Sequence, residues 1–155
     1  MNNQNIVTEV NDYDLSFVKV KFDLEHPDLT DISDKLLIEL KRWMSICLIY
    51  PQKSYQMFGP VDEMWHTFIM FTYEYRKFCY TYGEFVHHFP ELPIENQEKK
   101  ELNLTGYETF LADYKKQFGD VDAIWPTINS IKAHPPCLSG GGGGCRKCHR
   151  TCHKT

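Results

Sequence analysis

The chain has 155 residues, of which 42% are hydrophobic and 14% aromatic, so it is long enough to bury one substantial core. Residues 1–133 hold 13 basic and 21 acidic side chains, a net charge of −8, whereas residues 134–155 carry +4. An acidic body excludes strong electrostatic binding of nucleic acid by that body, and leaves only a short, weakly basic tail for such contacts.

The start of the chain has neither a basic cluster nor an apolar run, and no stretch approaches the roughly 18 apolar residues of a membrane span. We therefore expect a cytoplasmic protein without a membrane segment. In a reducing compartment, its six cysteines are predicted to be thiols or metal ligands rather than disulfides.

The first 32 residues are polar and mixed, and Pro27 turns the chain near their end. Within them, SFVKVKFDL (residues 16–24) places hydrophobic residues in partial alternation with polar ones, which is typical of a short strand. We predict an extended N-terminal arm over residues 1–32, which covers the core either as a strand or without a sheet partner.

Apolar stripes at helical spacing predict the next part of the fold. The first stripe includes Cys47, which is expected to be a buried, inert thiol. Trp125, beyond the last stripe, is expected to fill the core. The sequence predicts a mainly α fold, a compact bundle of about four principal helices over residues 33–132. These helices cover residues 33–50, 61–70, 72–82 and 105–118.

The central stretch from Val61 to Pro90 contains three of the seven histidines. In one continuous helix, His66 and Cys79 would lie about 20 Å apart along the axis. A break at Thr72, a good N-cap residue, would fold the second helix back and bring Cys79 towards His66. Gly83 is predicted to end that second helix as its C′ residue.

Four residues of this stretch are candidate metal ligands: His66, Cys79, His87 and His88. Imidazole nitrogens and thiolates are ligands that zinc prefers. Adjacent residues of an extended segment point to opposite sides, so only one of the two neighbouring histidines is expected to share a site with His66. Three protein ligands would leave a fourth position open. The alternative is that all four residues are hydrogen-bonded core or interface residues without a metal.

Two carboxylates precede His66 in the first turn of the same predicted helix. Asp62 or Glu63 is expected to orient a ligand or to act as a base next to a bound metal. The sequence does not choose between these two residues.

The segment WHTFIMFTYEYRKFC, followed by GEFVHHFP, resembles the glycine-rich domain-containing protein-like family. That family typically shows a Trp-His-x-His run, then a Tyr and a Cys, and often a His-His-x-Pro exit. YETFLADYKKQFG followed by AIWP resembles the C-terminal part of the same domain, so the resemblance covers about residues 33–128. The matching residues of the central stretch are Trp65, His66, Tyr75, Cys79, Gly83, Phe85, His87, His88 and Pro90.

The resemblance implies a fold more than a function, because the family has no established biochemical activity. One position departs from its pattern. Phe68 stands where the family has its second histidine, which weakens any role that needs both histidines.

The last part of the chain, HPPCLSGGGGGCRKCHRTCHKT, cannot bury apolar surface and predicts a disordered, flexible tail over residues 133–155. The C-x2-C spacing near its end is typical of zinc ligands. All of the tail's candidates lie within nine residues, however, whereas a structural zinc site usually takes its second ligand pair from further along the chain. The candidate tail ligands are Cys145, Cys148, His149, Cys152 and His153.

These patterns predict a zinc-binding interaction module without catalytic activity, which acts on an unidentified protein partner. One alternative is a zinc-dependent hydrolase that uses a His/Cys/His site with an open coordination position. Another is a metal-free helical scaffold. No phosphate-binding glycine loop, dinucleotide fingerprint or serine elbow is present in the sequence.

Overall fold

The computed structural model describes residues 2–89 and 97–133, and the mainly α fold is confirmed in them, with no strand in these ranges. A short 3₁₀ turn at Thr30–Ile32 leads into the third helix. The α-helices of the described residues are α1 (Asn3–Asp12), α2 (Ser16–Glu25), α3 (Ser33–Ile49), α4 (Val61–Met70), α5 (Thr72–Thr81), α6 (Gln97–Phe118) and α7 (Ile128–Ala133).

The prediction of an extended N-terminal arm is wrong, because most of the first 32 residues are helical. Leu15, Val18 and Phe22 follow one another at spacings of three and four residues, and all three are buried. Val20 and Leu24 are 63% and 80% exposed. The apparent alternation was therefore the 3.6-residue period of a helix with one buried face.

The helix α1 belongs to the same core as the rest of the described chain. Asn2 caps it, since its side-chain oxygen accepts a hydrogen bond from the Asn5 backbone N–H at 3.1 Å. The helix packs against α3, and Val10 is fully buried there. Just beyond its end, the Tyr13 ring meets Phe78 of α5 edge-on, with the ring centroids 5.0 Å apart.

The helix α3 runs through the middle of the bundle, in contact with α1, α2, α4 and α6. Trp43 stands at its centre, and its ring lies 4.7 Å from Phe110, 5.6 Å from Trp65 and 6.3 Å from Trp125 between centroids. Trp125 is only 3% exposed, in agreement with its predicted place in the core. This aromatic centre holds together helices that are far apart in sequence.

The predicted break between the two central helices is confirmed, since α4 ends at Met70 and α5 begins at Thr72. The residue between them, Phe71, serves as the cap of both helices, so Thr72 is the first helical residue rather than the predicted N-cap. Gly83 follows the C-cap residue Tyr82 with a φ of +89°, the left-handed conformation expected of a C′ glycine.

Two further helical segments differ from the sequence prediction. The helix α6 begins at Gln97, eight residues before the predicted start, and α7 was not predicted. Between them, the chain at Pro126 closes over Gly59, whose φ is +97°. A Cβ atom on Gly59 would lie 2.9 Å from the Pro126 Cδ, too close for any side chain without a shift.

The helices of the described ranges include none that combines the length and the apolar character needed to cross a lipid bilayer. The predicted disordered tail lies outside the described residues, except for Ala133 at the end of α7.

Candidate metal centre

Three side chains from two parts of the chain converge next to the first turn of α4. His66 Nε2 lies 2.8 Å from His88 Nε2. Asp62 Oδ2 is 3.6 Å from the first of these nitrogens, and Asp62 Oδ1 is 3.6 Å from the second. One ligand atom from each residue lies within 4.8 Å of the others, a grouping that is able to hold a metal ion.

The helix and the exit segment after α5 bring these groups together. Asp62 and His66 are four residues apart and therefore share one face of α4. His88 comes from the segment that follows Gly83, and its ring packs edge-on against Trp65 with the centroids 4.8 Å apart. The site thus depends on how the exit segment docks onto α4.

A buried tyrosine fixes that docking. The Trp65 Nε1–H donates to the Tyr75 hydroxyl at 3.1 Å, and this hydroxyl donates in turn to the Val86 backbone carbonyl. The relay links α4, α5 and the exit segment two residues before His88. Because Tyr75 is only 4% exposed, these hydrogen bonds are shielded from water and orient the segment firmly.

Of the two adjacent histidines, only one lies against His66. His88 faces His66, whereas His87 is exposed and lies between two other aromatic rings. Its ring centroid is 4.8 Å from that of Phe85 and 5.9 Å from that of Phe89.

Cys79 does not join the group of three potential ligands found among the described residues. It is fully buried, and the Val86 backbone and the Tyr75 side chain are among its neighbours. Burial raises the pKa of the Cys79 thiol, which disfavours the thiolate that binds zinc. Cys47, predicted to be a buried, inert thiol, is only partly buried and lines a neighbouring cavity, although desolvation raises the pKa of its thiol.

The electrostatic surroundings of His66 are acidic. The Glu63 carboxylate lies 4.0 Å from His66 Nδ1, on the side of the ring away from His88. Glu63 and Asp62 raise the pKa of His66 above its ordinary value, against the opposing effect of partial burial. Carboxylates on both sides of the ring therefore favour any cation at this position, whether a proton or a metal.

The cluster borders a cavity of about 240 Å³, to which Asp62 and His88 contribute. Trp43, Tyr55 and Phe89 supply aromatic wall to the same cavity. A metal held by the cluster would therefore lie beside a partly open cavity, with the exposed His66 side chain on its solvent side.

Sequence reasoning named Asp62 only as an alternative to Glu63, and did not include it among the ligands. The signal that would have found it is the spacing of four residues between Asp62 and His66. Phe68, at the position of the missing second histidine, is fully buried and packs against Tyr75 and Phe78. The candidate tail ligands, residues 145–153, lie outside the described residues.

The sequence profile of an uncharacterised family, described as UCP032817-like, matches residues 7–110, more than half of the chain. The chain belongs to the UCP032817-like family. The match covers the second half of α1, all of α2 to α5 and most of α6, and therefore includes all three residues of the cluster. Searches of curated proteins and of solved structures found no match to this chain.

Proposed function

We propose that this member of the UCP032817-like family is a zinc-binding interaction module, in which Asp62, His66 and His88 hold the ion. The observation that carries the proposal is the convergence of two imidazole Nε2 atoms and one carboxylate within 4.8 Å. Imidazole and carboxylate donors suit zinc, and a site with three protein ligands keeps a position open for a further group.

The distances are close to those of a loaded site. Two nitrogens bound tetrahedrally to one zinc ion lie about 3.3 Å apart, as zinc–nitrogen bonds of about 2.0–2.1 Å require. The His66 and His88 Nε2 atoms are separated by 2.8 Å, an N–H···N hydrogen bond in which one nitrogen carries the proton. Zinc would replace this proton, and the two rings would move apart by about half an ångström.

The metal-free scaffold makes a different prediction about the same pair. If the histidines serve only as a structural hydrogen bond, zinc has no specific effect on the folded protein. If the cluster binds zinc, added zinc raises the free energy of unfolding, and the rise is larger the more tightly the folded state binds the metal. This rise is expected for the zinc-binding module and not for the scaffold.

Metal analysis of protein purified without a histidine tag tests the proposal. We expect the full-length chain to lose one equivalent of zinc in His66→Ala, in His88→Ala and in Asp62→Ala. His87→Ala is the matched control and keeps that equivalent, because His87 is not one of the three residues whose ligand atoms come together.

The cysteines and histidines of the tail are also candidate zinc ligands, so the metal content alone does not locate the site and a spectroscopic measurement is needed as well. Cobalt(II) bound through nitrogen and oxygen donors lacks the strong thiolate charge-transfer absorption of a cysteine site. Loss of a nitrogen–oxygen cobalt signal in His66→Ala supports the proposal. An unchanged signal and an unchanged zinc content in all three ligand variants would refute it.

A zinc-dependent hydrolase is the second candidate function, and the position of His87 favours it. His87 lines the same cavity as Asp62 and His88, where a base for a zinc-bound water is needed. Cys79 has no part in this version, because it lies outside the cluster. Zinc-dependent hydrolysis of activated esters that is lost in His87→Ala, with zinc content unchanged, would favour the hydrolase over the binding module.

A further inference from the structure

A second cavity lies next to the one beside the cluster, and six residues line both. The second cavity has a volume of about 360 Å³ and extends past Lys53 and Cys47. The two neighbouring cavities and the wall residues that they have in common are together called here the aromatic groove. The shared wall residues are Trp43, Ser54, Tyr55, Trp65, His87 and Phe89.

The two ends of the aromatic groove differ in chemistry. The smaller cavity adds Asp62, His88 and Lys99 to the shared wall. Zinc and the Lys99 ammonium together outweigh the carboxylates of Asp62 and of Glu63, which lies 4.0 Å from His66 Nδ1, so this end keeps a net positive charge. An anionic oxygen donor therefore suits this end, where it would complete the coordination of the metal.

The shared wall of the groove suits a flat apolar group. Aromatic side chains hold planar ligands by stacked or edge-on contacts. Trp43, Tyr55 and Phe89 line both cavities, so a planar group placed between them contacts three rings.

We propose that the aromatic groove binds a small aromatic monocarboxylate, with its carboxylate on the zinc and its ring between Trp43, Tyr55 and Phe89. This inference rests on the proposed zinc site. A volume of about 240 Å³ at the metal end fits a compact molecule, because it lies just below the range of about 300–1,000 Å³ that is typical of ligand pockets. A single carboxylate neutralises part of the positive charge without filling the groove.

Titration calorimetry on the zinc-loaded, full-length protein tests the inference with 2-naphthoate as the probe and acetate as its match. Both carry the same donor, and only 2-naphthoate has an aromatic body. We expect 2-naphthoate to bind at least about tenfold more tightly than acetate, a difference of about 1.4 kcal/mol. Its addition to the cobalt-substituted protein should change the visible spectrum, as coordination to the metal requires.

Phe89→Ala is the test variant, because Phe89 lines both cavities and is 81% exposed, so its loss leaves the core intact. We expect it to weaken 2-naphthoate at least about threefold and to leave acetate unchanged, since only the ring contact is lost. Leu24→Ala, which removes a similarly exposed residue on α2, is the matched control and should change neither affinity.

The outcomes separate this inference from the proposed function. If zinc binds through Asp62, His66 and His88, but 2-naphthoate binds no more tightly than acetate, the groove inference is wrong and the zinc site stands. If 2-naphthoate still binds to His66→Ala, whose cluster is expected to hold no zinc, the groove inference is also wrong. Absence of zinc binding by the cluster overturns both.

Discussion

Glu39 shows how a single charged residue is kept inside this core. Its carboxylate is 2% exposed and accepts hydrogen bonds from the Tyr114 hydroxyl at 2.9 Å, from Trp125 Nε1–H at 2.7 Å and from Arg42 Nη1 at 2.9 Å. Burial, together with Glu39, raises the pKa of Tyr114 to about 12, so this hydroxyl keeps its proton and donates. Three hydrogen-bond donors, from α3 itself, from α6 and from the segment after α6, therefore stabilise the buried carboxylate.

We expect Glu39→Ala to lower the free energy of unfolding by about 3–5 kcal/mol, because it leaves two buried donors and a partly buried guanidinium without their acceptor. Urea denaturation measures the change. Glu25→Ala is the control, since Glu25 forms an exposed ion pair with Lys21 that contributes about 0–1 kcal/mol. Equal effects of the two substitutions would contradict this account of Glu39.

Asp113 predicts a pH dependence of stability. Burial alone would raise its pKa, but hydrogen bonds from Lys53 Nζ at 2.7 Å and from the Tyr55 hydroxyl at 2.6 Å outweigh it, and the pKa lies below its ordinary value. The folded state then binds the proton less readily than the unfolded state. The resulting stability is present above the unfolded pKa of about 3.9, and is lost as the pH falls through the lower folded-state pKa.

We therefore expect Asp113→Asn to destabilise the protein by about 1–2 kcal/mol at pH 7, and expect the difference from the unsubstituted protein to shrink below about pH 4. Unfolding curves at several pH values check this. Asp120→Asn, at an exposed carboxylate, serves as the control. A difference that stays constant down to pH 2 would show that Asp113 acts through packing rather than through its charge.

At the scale of the elements, α4, α5 and the exit segment form a unit that Tyr75 holds together. Its hydroxyl is the link between the Trp65 indole and the Val86 carbonyl, and His88 lies two residues beyond. The geometry of the cluster is thus determined by a residue that is not one of its ligands.

We expect Tyr75→Phe to reduce stability by about 1–2 kcal/mol, because a buried N–H and a carbonyl lose their partner. The affinity for zinc should fall by about tenfold or more, as is typical when a group that orients a metal ligand is removed. Calorimetric zinc titration measures this fall, with Tyr73→Phe as the control at a 74% exposed position. Unchanged zinc affinity in Tyr75→Phe would show that the hydrogen bonds of Tyr75 do not position the metal ligands.

The sequence predicted best those elements whose buried face is long and regular. The helices α3, α4 and α5 were found from their apolar stripes, and the break between the last two came from the distance problem of His66 and Cys79. The N-terminal helices were missed because a partly buried helix with exposed Val20 and Leu24 imitates alternation over a short window. Helix α7 has six residues, too few for a clear period.

The candidate site, like the fold, was predictable only in part from the sequence. Local rules singled out His66, and the alternation of an extended segment limited the adjacent histidines to one partner. Which of the two it would be depends on the Tyr75 relay, a contact between residues 11 apart in sequence that no spacing rule supplies. Cys79 was included because the fold-back of α5 was predicted correctly, but the rotation of α5 about its axis was not.

At the scale of the whole molecule, the two ends of the chain should contribute unequally. The buried core described here extends from Val10 to Ile131. We expect truncation after Ser139 to change the melting temperature by no more than about 2 °C, because it removes none of these residues. Thermal unfolding by circular dichroism provides the measurement. Collapse of the truncated protein would show that the tail is part of the core.

Deletion of residues 1–13 removes a similar length of chain and is the natural comparison. It takes away α1 with Val10 and the Tyr13 ring that meets Phe78. We expect the melting temperature to fall by about 10 °C or more, in line with the loss of several buried contacts. A small effect would mean that α1 contributes little to the stability of the core.

The close approach of Gly59 to Pro126 has a consequence for the evolution of the family. A side chain at position 59 would meet the proline ring at 2.9 Å and would also have to adopt a positive φ. A residue other than glycine at position 59 is therefore expected only in relatives whose backbone differs there and whose residue 126 leaves room for a Cβ, whereas replacement of Pro126 alone meets no such restriction. Chains that have lost the glycine should also have re-routed the loop before α4, and with it the start of the helix that carries Asp62 and His66.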